Sequence, residues 1–200
     1  LLHLHRGTPF LYQGDELGMT NYPFTSLDQL VDIEGINFAR EARAKGRADA
    51  EIMAGIRAHG RDNARTPMQW DAGEQAGFTA GTPWLPVNPN HTVINAADQV
   101  DDPASVFAHY QRLIRLRHDD PVVALGDFTM LLDDHRQVYA FTRRLADSEM
   151  LVMVNVSSTD AHAPLDDADV WSGADVVLGE PYHPTMAPWE QRVLRRAVDG

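Results

Sequence analysis

Apolar positions along this chain recur at a helical period up to about residue 120 and at a period of two beyond it. From Asp101 to His118, residues Val106, Tyr110, Leu113, Ile114 and Arg117 fall on one face of a 3.6-residue repeat. Asp102 is placed to cap that helix, Pro103 suits its first turn, and Pro121 stops it. The stretch from Leu27 to about Gly46 carries Leu30, Val31, Ile33, Ile36 and Phe38 in a helical pattern, and a further helix is predicted over 50–58, stopping near Gly60. Residues 1–5 read as the end of a helix closed by Arg6-Gly7. The apolar run 8–13, bounded by Pro9 and Gly14, reads as one buried strand. A helix end, a strand and then helices is the order of α/β folds with parallel sheets.

After Pro121 the short runs 128–132, 138–142, 150–155, 176–178 and 192–194 are spaced by Asp, Gly, Ser and Pro, the mark of an antiparallel sheet domain, expected to be a sandwich. The expected architecture is therefore α/β followed by all-β, with domains at 1–120 and 121–200.

Composition narrows the function classes. With 17 Lys+Arg against 29 Asp+Glu the chain carries a formal charge of -12, so nucleic acid, which needs clustered cations, is not an expected partner. There is no cysteine, which removes thiolate metal sites, cysteine nucleophiles and disulfide scaffolds. No apolar run approaches the ~20 residues a spanning helix needs, so no membrane partner is expected either. The chain opens Leu-Leu-His-Leu-His-Arg, without Met and without the pattern of a signal peptide, and so reads as beginning in the middle of something, with a cytoplasmic location expected.

Several polar clusters invite chemistry. His3 and His5 lack a third ligand at sensible spacing, so no metal site is expected. His118-Asp119-Asp120, at the end of an amphipathic helix, reads as solvated capping, not as a catalytic pair. Asp15-Glu16 follow the predicted strand, where α/β barrels keep active sites, but carboxylates there also hold loop amides. Arg61, Asp62, Asn63 and Arg65 form a dense cluster that is either a structural ion-pair network or a ligand clamp.

At these residues the chain resembles a known family. GTPFLYQGDELGMTN (7–21), DIEGIN (32–37), GRDNARTPMQWD (60–71), AGFT (76–79) and PWLPVNPN (83–90) closely resemble the oligo-1,6-glucosidase and α-glucosidase branch of the α-amylase family, glycoside hydrolase family thirteen. The resemblance implies a (β/α)8 TIM barrel followed by an antiparallel C-terminal domain. Residues 8–13 would be the eighth barrel strand, 27–60 a helical insertion and 102–118 the closing helix. It also implies retaining hydrolysis of α-glucosidic bonds, which takes two carboxyl groups about 5–5.5 Å apart. Family members use an Asp nucleophile, a Glu acid/base and a second Asp, all on earlier strands, so no catalytic carboxylate is expected in this chain.

Two binding residues carry over. Arg61 matches the arginine that donates to the glucose hydroxyls in subsite -1, a task suited to a planar, permanently charged donor array, and one that makes the enzyme exo-acting. Glu34 matches an acidic residue that accepts hydrogen bonds from the sugar in subsite +1. Asp62, Arg65, Asp15 and Glu16 are expected to be architectural. The implied partner is a small oligosaccharide, with no cofactor. Trehalose-6-phosphate hydrolases and sucrose isomerases share the motifs. A catalytically dead relative is the other alternative, but such relatives need not retain a sugar-binding arginine, and the intact GRDNARTPMQWD argues for a working glucosidase. Residues 121–200 could also act as a carbohydrate-binding module, with Trp171 and Trp189 as the sugar-stacking candidates.

Overall fold

The computed structural model describes residues 1–198. They divide into two compact units: a helical unit, Leu11–Gln111, and a sheet unit that joins Leu1–Phe10 to the chain from Arg112 onward. The helices are α1 (Ile33–Ala44), α2 (Asp49–His59), α3 (Ala96–Gln99), α4 (Val106–Asp119) and α5 (Pro121–Leu125). The strands are β1 (Asp127–Leu131), β2 (Val138–Leu145), β3 (Ser148–Asn155), β4 (Ala161–His162), β5 (Asp175–Gly179), β6 (Thr185–Met186) and β7 (Gln191–Ala197).

In the sheet unit, β1-β2-β3-β7-β5 form one antiparallel sheet whose two faces are both apolar. Because successive strand residues point to opposite sides, Val138, Ala140, Leu151, Met153 and Leu194 share one face and pack against Ala161, Ala163, Leu165, Trp171 and Met186. Phe141, Met150, Val152 and Val193 occupy the other and pack against Leu4, Leu113, Val122 and Val123. The expected antiparallel domain is present, but the sandwich is lopsided. Among the described residues its second sheet is only the β4-β6 pair, too short to leave a period-two signal in the sequence. Arg143 lies fully buried and donates to the carbonyls of Gly126 and Leu4, tying the first residues to the sheet. Burial, with the charges of Arg117 and Arg6, lowers the pKa of its guanidinium.

The helical unit is built on α1 and α2, which bury Ala39, Ala42, Ile52, Met53 and Ile56 against Phe24 and Leu30. The predicted helix from Leu27 begins six residues late, because local caps intervene. Ser26 and Gln29 close a capping box around a single 3-10 turn, Leu27–Gln29, and Asp32 then accepts the Gly35 N–H to start α1. Likewise α4 begins at Val106: the Ser105 hydroxyl accepts from the Ala108 N–H, whereas Asp102 reaches only the N–H of Ala104. Pro121 opens α5 with Asp120 as its cap, as well as ending α4.

Two predicted elements near the start are corrected. Residues 1–5 contain one 3-10 turn, Leu2–Leu4. Residues 8–13 form no strand, and Phe10 is 88% exposed. A strand exists only through a neighbour's backbone groups, and among the described residues none pairs with this run.

Candidate functional site

The site grows from the junction of two turns in the helical unit. α2 ends where the Gly60 N–H bonds the Ile56 carbonyl at 2.7 Å. The approach is so close that a Cβ on Gly60 would lie 2.6 Å from that same oxygen. The chain then enters a 3-10 turn, Arg61–Arg65, that carries the cluster singled out from the sequence. Arg61 points back to the first turn of α1, where its Nη1 meets Glu34 Oε1 at 2.9 Å. Both side chains are exposed, 54% and 68%, so solvent screens this pair and it contributes little to folding. The hydrogen bond to Glu34 raises the pKa of the Arg61 guanidinium.

A second, better-shielded layer lies under that pair. Arg65 Nη1 bonds Asp32 Oδ1 at 2.7 Å, with Asp32 only 6% exposed. Burial pushes the Asp32 carboxyl up, but the hydrogen bonds from Arg65 and the Gly35 N–H and the charges of Arg65 and Arg61 outweigh it and hold the group below the ordinary aspartate value. Asp62 is buried, and its Oδ2 accepts from the N–H groups of Val31 and Asp32 at 2.9 and 3.0 Å. Asn63 accepts from the Tyr22 N–H and donates to the Arg57 carbonyl at the end of α2.

Arg61 stands between two cavities. One, of about 390 Å³, is bounded by Tyr12–Asp15, Met19–Asn21 and the 58–68 segment. The other, of about 320 Å³, lies between α1 and α2, lined by Glu34, Phe38, Gly55 and Ile56. Arg61, Gly60 and His59 border both. A guanidinium with donors left over, an exposed carboxylate paired with it and an aromatic ring at the rim suit an uncharged ligand rich in hydroxyl groups.

The two residues expected to bind sugar are therefore brought together, in direct contact. His59, Phe38 and Tyr12 also border the cavities, and the sequence reading did not single them out. The available signal was helical spacing: Gly55 and His59 are four residues apart on α2 and share a face.

The other candidates are structural. Asp15 accepts from the Tyr12 N–H and Glu16 from the Gly14 N–H. Asp120 caps α5 and pairs with Arg195; it is buried, which corrects the solvated reading for that residue, whereas His118 and Asp119 are exposed. His5 bonds the Tyr139 hydroxyl at 2.9 Å and packs among Phe128 and Phe141. Trp171 is a core residue, 1% exposed, with the Arg196 guanidinium 4.7 Å from its ring, so it offers no sugar platform. Trp189 is 65% exposed.

Comparison with known proteins agrees with the motifs. Residues 1–126 match the alpha amylase catalytic domain family. The chain is 51% identical over 160 residues to a glucan 1,6-alpha-glucosidase of Streptococcus pneumoniae, covering 80% of this chain and 30% of that protein. It is 46% identical over 183 residues to an oligo-1,6-glucosidase of Halalkalibacterium halodurans, covering 90% and 31%. Among solved structures, trehalose-6-phosphate hydrolase of Bacillus licheniformis superposes with a TM-score of 0.90 at 37% identity, covering 98% of this chain and 37% of that one. Isomaltulose synthase of Erwinia rhapontici superposes at 0.88 and 39% identity, covering 99% and 37%. The chain thus spans about a third of the length of these relatives. With a catalytic-domain match over 126 residues, and relatives this similar across four fifths or more of its length, the chain belongs to the alpha-amylase family.

Proposed function

We propose that this chain is the C-terminal portion of a cytoplasmic, retaining, exo-acting α-glucosidase that hydrolyses terminal α-1,6 bonds of short oligosaccharides. In this reading residues 1–120 end the catalytic barrel, with 8–13 as its eighth strand and 102–118 as its closing helix. Residues 121–200 form the C-terminal sheet domain. The match to the catalytic domain over residues 1–126 supports that division. The run at 8–13 is exposed and forms no strand here, and in this reading a neighbouring barrel strand of the complete enzyme pairs with it.

The observation that carries the proposal is the Arg61–Glu34 pair at the border of two cavities. In the complete enzyme Arg61 donates to the hydroxyls of the terminal glucose, and Glu34 accepts from the sugar on the other side of the scissile bond. An ionic contact in the free site keeps both groups extended toward the place the substrate will occupy, and ligand hydroxyls replace it on binding. The nucleophile and acid/base carboxylates belong to strands outside this chain, so these residues bind and orient, and the chain alone does not turn over substrate.

Arg61→Ala in the complete enzyme is expected to lower kcat/KM for isomaltose about a hundredfold, the loss of one to two charge-assisted hydrogen bonds. The thermal melt should stay close to that of wild type. Kinetics within threefold of wild type, with the fold intact, remove the assigned role. The structural likeness to trehalose-6-phosphate hydrolase and isomaltulose synthase favours a second reading, in which the same site serves a trehalose-6-phosphate hydrolase or sucrose isomerase. Product analysis on isomaltose, trehalose 6-phosphate and sucrose separates the two.

A further inference from the structure

The sugar-binding reading needs the backbone positions that carry Arg61 and Glu34 to keep a fixed separation, yet they sit on different elements and the contact between the side chains is exposed to solvent. What holds the two elements in register is the layer beneath. Asp62 follows Arg61 directly in the 3-10 turn, is 2% exposed, and sends Oδ2 to the N–H groups of Val31 and Asp32, the two residues that lead into α1. Its other oxygen, Oδ1, has no hydrogen-bond partner among the described residues, so the carboxylate's hydrogen bonds go to that one stretch of backbone. Asp32 in turn accepts the Gly35 N–H, fixing the first turn of α1 in which Glu34 lies, and is gripped from the 61–65 turn by Arg65. Two brackets therefore join the same two pieces of backbone, Asp62 running from the Arg61 turn to α1 and Arg65 running parallel to it. An exposed ion pair between long side chains is entropically loose unless its backbone ends are held.

We propose that Asp62 is a positioning residue that sets the Arg61–Glu34 geometry, with the Arg65–Asp32 pair as its second bracket. This rests on the reading of Arg61 and Glu34 as sugar-binding groups, but its structural half does not depend on it. Asp62 itself lines neither cavity, so its influence on substrate passes through the Arg61–Glu34 pair.

The test uses Asp62→Ala and Asp62→Asn in the complete enzyme and in this chain. Asn keeps an accepting oxygen in the place of Oδ2, whereas Ala keeps none. In folded D62A protein, kcat/KM for isomaltose is expected to fall at least tenfold, while D62N stays within about threefold of wild type. In an Arg61→Ala background the further D62A change is expected to cost less than twofold, because residues acting as a unit are not additive. Crystal structures of the variants read the geometry directly. The Arg61 to Glu34 contact should open beyond hydrogen-bonding distance in D62A and survive in D62N. A D62A structure with the pair intact overturns the proposal. So does a D62A loss that is undiminished on the Arg61→Ala background, or one equalled by D62N. If the pair opens but activity does not change, positioning stands as geometry and it is the sugar-binding reading that falls. If D62A does not fold, the D62N pair decides: retained supports the bracket, lost overturns it.

Discussion

Two glycines on and just after α2 should respond in opposite directions to the same added methyl group. At Gly60 an ideal Cβ would sit 2.6 Å from the Ile56 carbonyl oxygen and 3.2 Å from Ile56 Cγ2, whereas at Gly55 nothing lies within 4 Å. Ordinary contact starts at 3.4 Å, so Gly60→Ala must push the chain away by about 0.8 Å. That movement breaks or weakens the Gly60 N–H to Ile56 bond that ends α2. The lost bond is worth about 0.5–1.5 kcal/mol and the overpacking about 1–3 kcal/mol. The smaller backbone freedom of alanine in the unfolded chain returns about 0.4–1 kcal/mol. The net expectation is a loss of about 2 kcal/mol. Gly55→Ala, in mid-helix and unobstructed, should instead gain about 0.5–1 kcal/mol. Urea unfolding followed by circular dichroism measures both, and equal slopes for the three proteins make the midpoints comparable. The reasoning is refuted if Gly60→Ala is as stable as Gly55→Ala. The outcome bears on the site, because Arg61 is the next residue and takes its direction from this turn.

Three further outcomes follow from the same structure. Phe141, fully buried in the sheet core, should cost about 3–5 kcal/mol on Phe141→Ala, readable as a shifted urea midpoint. Asp32 has its folded pKa held below the unfolded value, so its contribution is fully present above about pH 5 and disappears as pH falls through the folded value. Asp32→Asn, which keeps a capping oxygen, should flatten the loss of stability on acidification below about pH 5, and an unchanged acid limb in pH-dependent melts would contradict that. Amide exchange on this chain as a monomer should be fast across 8–13 and slow across β2 and β3, and slow exchange at Phe10 and Leu11 would contradict the absence of a strand partner.

Much of this fold was legible because its long elements carry unambiguous periods. α2 and the five strands of the main sheet lie where the pattern puts them, since burial on one helix face or on both sheet faces leaves a regular mark. The starts of α1 and α4 were not legible from periodicity, because Ser26, Asp32 and Ser105 redirect backbone N–H groups within three residues and apolar spacing does not register that competition. The strand at 8–13 failed for a different reason: its apolar residues describe a burial that none of the described residues supplies. At the site, the polar cluster around Arg61 was visible in the residues themselves, but Glu34 and the sugar-binding roles of both came from motif resemblance alone. Their direct contact, and the buried brackets from Asp62 and Arg65, depend on how α1 meets the 61–65 turn, 27 residues further along the chain, and only coordinates show it.

A crystal of the complete enzyme, with its nucleophile inactivated and soaked in isomaltose, tests the central claim most directly. The account predicts the Arg61 guanidinium within about 3 Å of hydroxyl oxygens on the non-reducing glucose, with Glu34 accepting from the neighbouring sugar. A bound sugar that leaves Arg61 turned away, still paired with Glu34 and touching no hydroxyl, contradicts it.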